Sequence, residues 1–256
     1  MQKTNTDLES NANTDAEFEI LLDADDFIAV FKPAGWLTIP GRGNKEDVKI
    51  LSHFLGSKLR GSTERSSTKP DLFTVHRLDE GTSGIVVFAK TTDAHRELSA
   101  LFESREIKKK YLCLVKGTPV KKHIDARIFK IPSKKNKSVV DSKGKPSETK
   151  IETLISRDGF SLVEAKPLSG RSHQIRVHMA HIGHPIIGDK LYGGSTSEFG
   201  IEFQYPLLHA QALSFQLSSG QNYSIKAPLK GVFLETTNAL KLKLYLAQDF
   251  TQSAEE

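Results

Sequence analysis

A single cysteine, Cys113, stands in 256 residues. One thiol excludes an internal disulfide framework and fits a reducing compartment. Lying in a stretch of alternating polarity, it reads as a packed side chain. No apolar run approaches the roughly 20 residues that a membrane-spanning helix needs. The first residues are acidic and polar, unlike a secretory leader with its basic start and apolar middle. The expectation is a cytoplasmic protein. A nucleotide-binding P-loop is also missing, because no Gly-Lys-Ser/Thr follows the two glycines around Arg42. No repeat of fixed period runs through the chain. What remains is a length that suits one large domain or two small ones, with ample core.

Charge is plentiful and unevenly placed. The net charge is +5, yet residues 1–26 hold one lysine against eight acids, and residues 105–150 hold fifteen Lys or Arg against four acids. A basic block of that density suggests a polyanionic partner, or else a solvated lysine-rich loop. The acidic head would repel such a partner, so residues 1–17 read as a disordered tail. A main domain is expected over 18–246, with a short tail over 247–256.

Along the chain, Phe27 to Lys32 reads as a strand stopped by Pro33 and turned at Gly35. Val48, Leu51, Leu55 and Leu59 make a helical stripe, and 61–70 is a polar connection. Leu72–Val75 and Ile85–Phe88 are strands on either side of a polar turn, His76 to Gly84. Thr92 and Asp93 can cap a helix whose inner face is Ala94, Leu98, Leu101 and Phe102. Tyr111–Lys116 is a strand with Tyr111, Cys113 and Val115 on one side. Pro132, Gly144 and Pro146 break the basic stretch over 121–150. Ile151–Ile155 and Phe160–Lys166 form a hairpin about Asp158-Gly159. Ser172 can cap a short helix bearing Ile175, Met179 and Ile182. His209–Phe215 and Tyr223–Ala227 make a closing hairpin. Hairpin-linked strands with few helices point to an α+β fold, a mainly antiparallel mixed sheet flanked by helices and loops.

The most informative stretch runs from Phe73 to Lys90. Asp79 sits in its strand-end loop, with Arg77 beside it and Gly81 and Gly84 allowing close backbone approach. Loops carried by a rigid sheet often hold reactive groups, although Asp before Gly-Thr-Ser-Gly also serves plain turn chemistry. His173, His178, His181 and His184 crowd one region. Their spacings of five, three and three do not put three ligands on one helical face, and no cysteine pair joins them, so no metal is expected.

The pattern His76-Arg77-Leu78-Asp79-x-x-Thr82-Ser83-Gly84 resembles the signature of the RluA branch of the pseudouridine synthases. Three further stretches match in the family's order. They are Phe31-Lys32-Pro33-Ala34-Gly35-Trp36-Leu37, then Lys110-Tyr111-x-x-x-Val115-x-Gly117, and finally Gly170-Arg171-Ser172-His173-Gln174-Ile175-Arg176-Val177-His178-Met179. The last continues into Gly183-His184-Pro185-Ile186-x-Gly188-Asp189. The resemblance spans about Phe18 to Phe233.

It implies the pseudouridine synthase catalytic fold and an RNA partner, ribosomal or transfer RNA. It also implies a reaction needing no cofactor and no metal, and a monomer is expected. Asp79 falls at the family's catalytic aspartate, Tyr111 at its uracil-facing tyrosine, and Arg176 at the arginine that pairs with the aspartate. For these the residues alone leave a turn aspartate, a half-buried core tyrosine and an exposed helix arginine open. His76, Arg77, Arg171 and His173, with Lys134, Lys135 and Lys137, are expected to meet RNA; His173, like His178, also suits packing and hydrogen bonding within its motif. Only about 26 residues precede the first catalytic strand, too few for the extra S4-type domain of many relatives. A catalytically silent RNA-binding relative and a uracil-releasing glycosidase are the rivals. The glycosidase would ordinarily need a second carboxylate, and only Glu80 accompanies Asp79.

Overall fold

The computed structural model describes residues 18–41, 49–61, 72–132 and 137–242. The first elements are β1 (Glu19–Asp23), β2 (Phe27–Lys32), α1 (Leu51–Gly61), β3 (Phe73–Thr74), β4 (Ser83–Ala89) and α2 (Thr92–Glu103). Then come β5 (Lys108–Lys116), β6 (His123–Asp125), β7 (Ile128–Lys130), β8 (Ser138–Val140), β9 (Glu148–Arg157) and β10 (Phe160–Pro167). The remainder holds α3 (Gln174–His181), β11 (Ser197–Glu198), β12 (Ile201–Glu202), β13 (Leu208–Gln216), β14 (Asn222–Lys226) and α4 (Gly231–Ala239). Among the described residues one sheet of ten strands runs β1-β2-β4-β13-β5-β10-β9-β6, with β14 beside β13 and β3 beside β4. All its pairings are antiparallel except β4 with β13. The class is α+β with a mixed, mainly antiparallel sheet.

Both faces of the sheet are covered, which is why its central strands read as continuous apolar runs. Phe27, Phe31, Ile85 and Val87 pack under Leu98 of α2. Ile28, Val30, Val86 and Phe88 face Leu51 and Leu55 of α1. Farther along, Cys113, Val115 and Val163 meet Ile175 and Met179 of α3. Leu112, Leu114 and Leu162 meet Ile187, Phe203 and Phe233 of α4. Each large side chain so buried contributes roughly 1.5–3 kcal/mol, and neither half of the sheet could hold one bare face.

The β9–β10 hairpin turns at Asp158 and Gly159, whose φ values of 49° and 79° suit a two-residue turn. The closing β13–β14 hairpin also forms as expected. Four local features differ from the sequence reading. Thr91, not Thr92 or Asp93, caps α2, its Oγ1 accepting the Ala94 N–H at 3.1 Å; Asp93 instead lies in the first turn. Ser172 does not cap α3: His173 holds that position at φ 57°. Helix α4 was unsignalled, and the Thr236 and Thr237 hydroxyls donate back to the Val232 and Leu234 carbonyls, which lets polar side chains lie buried in it.

The fourth difference is the basic stretch, which folds into β6 against β9 and a β7–β8 hairpin. Gly144 lies so close beneath that hairpin that a Cβ would stand 2.3 Å from the Ile128 carbonyl carbon. Val48, the 62–70 connection, both tails, and Lys134 and Lys135 fall outside the described residues.

The parallel contact positions the site. Ser83 faces His209 and Gly84 faces Ala210, while Ala210 on its other side faces Tyr111 of β5. Gly84 has φ 113°, and a Cβ there would meet the Ala210 oxygen at 2.2 Å. Only glycine lets the strand after Asp79 approach β13 so closely.

Candidate active site

Asp79 lies in the loop between β3 and β4, and the turn after β2 pins that loop. Thr38 Oγ1 accepts the Leu78 N–H at 3.2 Å and lies 3.3 Å from the Leu78 carbonyl. The Gly35 N–H donates to the Glu80 carbonyl at 2.8 Å. Lys32 is fully buried, and its Nζ donates to the carbonyls of Pro33, Trp36 and Glu80 at 2.9, 2.7 and 3.0 Å. Burial pulls its pKa down to about 7, opposed by the charges of Asp79 and Glu80. Three carbonyl acceptors match the three donors of the ammonium form, so the geometry holds it charged. A Cβ on Gly81 would meet Pro206 at 2.8 Å, which closes the loop from the opposite side.

Arg176 reaches Asp79 from α3, with Nη1 3.5 Å from Asp79 Oδ2. Its fork, however, grips another acid: Nε and Nη2 donate to Asp189 Oδ2 and Oδ1 at 2.7 and 2.8 Å. Asp189 is buried, and the bidentate geometry compensates a charge that would otherwise be costly. Burial opposes the Arg176 charge, but the hydrogen bonds and charge of Asp189, then the charge of Asp79, outweigh it and raise its pKa. The Tyr192 ring lies under the guanidinium, 5.1 Å from centroid to Cζ. The Tyr192 hydroxyl accepts the Ser138 N–H at 3.0 Å and lies 2.8 Å from His173 Nδ1. His173 Nε2 in turn lies 3.8 Å from Asp79 Oδ1.

Asp79 and Arg176 open on a cavity of about 130 Å³ whose wall includes Arg77, Lys109, Tyr111, Arg171 and His173. Burial, then the charge of Asp79, raises the Tyr111 pKa, so its hydroxyl stays protonated. Lys109 shares the face of β5 that carries Tyr111; burial, then the charge of Arg105, lowers its pKa.

Arg77 is exposed at the cavity rim. Arg171 is half-buried there, its Nε donating to the Pro146 carbonyl at 3.3 Å. Lys137 sits at the foot of β8 with its ammonium 5.7 Å from the Tyr192 ring centroid.

His76 is placed differently from the expectation of RNA contact. Its Nε2 accepts the Val87 N–H at 2.9 Å, its ring stacks on Phe102, and burial, then the charge of Lys109, pushes its pKa down to about 3. It fastens the loop to β4 and is absent from the cavity wall. His178 is committed to Thr149 and the Ala126 carbonyl, and His184 Nδ1 to the Lys116 carbonyl. Among the described residues no three His, Cys, Asp or Glu side chains converge as metal ligands.

A family model described as RNA pseudouridylate synthase matches residues 26–181. The dual-specificity RNA pseudouridine synthase RluA of Escherichia coli K12 is 35% identical over 82% of this chain and 92% of its own length. The ribosomal large subunit pseudouridine synthase D of Zymomonas mobilis is 34% identical over 80% of this chain and 67% of its own. The chain is an RNA pseudouridine synthase of the RluA branch. Human RNA pseudouridylate synthase domain containing 4 shares the fold, with a TM-score of 0.70 at 23% identity over 87% of this chain and 92% of that one.

In this synthase, sequence reasoning missed Asp189 as the partner of Arg176, although Asp189 stood in the matched motif. It also missed Tyr192 and Lys109. Tyr192 lies in a glycine-flanked turn with no periodic signal. Lys109 is one of three consecutive lysines, and only strand parity with Tyr111 would have singled it out.

Proposed function

We propose that Asp79 is the carboxylate with which this enzyme isomerises uridine in ribosomal or transfer RNA. The observation that carries the reading is Arg176 Nη1 at 3.5 Å from Asp79 Oδ2, at the mouth of a cavity that Tyr111 helps to line. In the reaction the C1′–N1 bond breaks, the uracil turns, and C5 joins C1′. N1 gains a proton and C5 loses one, so the atoms balance without a redox partner, group donor or metal. Asp79 either attacks C1′ or removes the 2′ proton, and both routes use it as a carboxylate. Tyr111 would lie against the uracil as a stacking surface.

A uridine in folded RNA has to leave its stack to enter such a cavity. Exposed Arg77, two residues from Asp79, would fill the vacated space or hold a phosphate. Arg171 and Lys137, with Lys134 and Lys135, would carry the RNA backbone. The Escherichia coli relative is named a dual-specificity RNA enzyme and the Zymomonas relative a ribosomal large subunit enzyme, which supports RNA, ribosomal RNA included, as the substrate. The cytoplasm would be the place of action.

Asp79→Asn tests the reading. With RNA carrying [5-³H]uridine, tritium leaves C5 as the new bond forms. The variant should fold and bind RNA but release no tritium. Turnover above about 1% of wild type would move the chemistry to another group.

A further inference from the structure

We propose that the Nε2–H of His173 is a positioning donor to Asp79, and that the Tyr192 hydroxyl fixes the ring tautomer that supplies it. The proposal rests on reading Asp79 as the catalytic carboxylate. The proton assignment follows from the donors. The Ser138 N–H can only donate, and it reaches Tyr192 Oη at 3.0 Å. The hydroxyl's own proton is then free for His173 Nδ1, 2.8 Å away. With that proton given to Nδ1, the hydrogen of the neutral ring sits on Nε2, the tautomer that turns a donor toward the Asp79 carboxylate. Burial favours the neutral ring, lowering the His173 pKa against the opposing charge of Asp79.

Nε2 faces Asp79 Oδ1 at 3.8 Å, while Oδ2 faces Arg176 Nη1 at 3.5 Å. Each carboxylate oxygen thus has its own donor, and both donors come from the start of α3. At 3.8 Å the His173 contact is longer than a hydrogen bond. Catalytic contacts commonly tighten when substrate is seated, and Nε2 makes no hydrogen bond elsewhere among the described residues. Two donors stop the carboxylate from rotating, so one lone pair stays aimed at the sugar. The backbone gives independent support. His173 sits at φ 57° without a side-chain capping bond, a left-handed position where asparagine is the more comfortable polar residue. A strained residue of this kind beside a reactive group points to a role for its side chain.

That strain supplies the test. Asparagine suits the backbone but is too short to place a donor at Nε2, whereas glutamine reaches that point but suits the backbone less. Single-turnover tritium release would be measured for His173→Asn, His173→Gln and Tyr192→Phe. The substrate would be saturating [5-³H]uridine-labelled total RNA from a strain lacking the protein, with melting temperature and RNA affinity measured alongside. Glutamine should stay within about 10-fold of wild type and asparagine should lose about 100-fold, the range for removing one preorganised donor. Tyr192→Phe, which keeps the ring under Arg176, should lose about 10-fold.

Asparagine turning over as fast as glutamine would reduce His173 to a backbone cap and overturn the proposal. Weakened affinity with unchanged saturated rates would overturn it in favour of RNA contact. If glutamine fails to fold, a wild-type rate in Tyr192→Phe overturns it and a loss near 10-fold supports it. Asp79→Asn is run in parallel: activity there sinks the assignment of Asp79 itself, and its absence leaves the His173 outcomes to judge the donor alone.

Discussion

Replacing Arg176 by lysine keeps the charge and removes the fork. The guanidinium makes three contacts at once, two to Asp189 and one to Asp79. An ammonium is a point charge on a flexible stem and cannot span both acids. Asp189 is the more buried partner, so the ammonium should settle there and retreat from Asp79. Moving a charge from 3.5 Å to about 6 Å at an effective dielectric of about 20 weakens its attraction by about 2 kcal/mol. Losing a directed, charge-assisted donor adds about 1 kcal/mol. The rate should fall at least about 100-fold, or roughly 2.7 kcal/mol.

RNA affinity should change less, because the residue faces the carboxylates and not the solvent. Arg176→Ala should differ in kind: it strands Asp189 without a counter-charge and should cost about 3–5 kcal/mol of stability. Tritium release at saturating RNA measures the first effect, and denaturant midpoints measure the second. Near-normal turnover in the lysine variant would refute the idea that the charge must be held at Asp79 itself.

Changing Lys134, Lys135, Lys137, Lys143 and Lys145 together to glutamine should weaken RNA binding and flatten its salt dependence, leaving the saturated rate near wild type. Equal affinities and equal slopes across salt would return these lysines to an ordinary solvated surface. His76 and His209 are held neutral with pKa values of about 3 and about 4, burial being the leading cause for both. The unfolded chain binds protons first, near pH 6.5, so stability should be full above that value and fall as the pH drops toward 4. Each ring contributes a slope of at most about 1.4 kcal/mol per pH unit. Denaturant midpoints at pH 7 and pH 5 should show the fall, and His76→Gln should lessen it; an unchanged slope would count against the assignment. Gly84→Ala should prevent folding, because the new Cβ meets the Ala210 oxygen, whereas Gly159→Asn should fold, since nothing lies within 4 Å of its Cβ position. Circular dichroism of the two variants decides.

Much of this site is legible in the chain because its motifs are local. The loop carrying Asp79 lies between two apolar runs, and Tyr111 sits on a strand of clear polarity. The partner of Arg176 was not legible, because a guanidinium close to two carboxylates divides its hydrogen bonds by geometry that spacing does not encode. His173 read as an RNA or packing residue because nothing in the spacing places its Nε2 3.8 Å from Asp79 Oδ1. The β7–β8 hairpin was hidden because its strands, Ile128–Lys130 and Ser138–Val140, are three residues each, too short to show alternation. Helix α4 was hidden by adjacent threonines, whose hydroxyls find acceptors only once the helix exists.

The strand β13 stands between β4 and β5, although both precede it by many residues; Ser83 and its partner His209 are 126 positions apart. During synthesis Asp79, Tyr111 and Arg176 all leave the ribosome before the strand that draws their carriers together. Until β13 arrives, β4 and β5 each present an open edge of unpaired N–H and C=O groups, the kind of surface to which stray strands attach. Contacts of such long range also close slowly. The site is therefore assembled late, and a chain interrupted before Leu208 carries Asp79, Tyr111 and Arg176 without the strand that draws their carriers together.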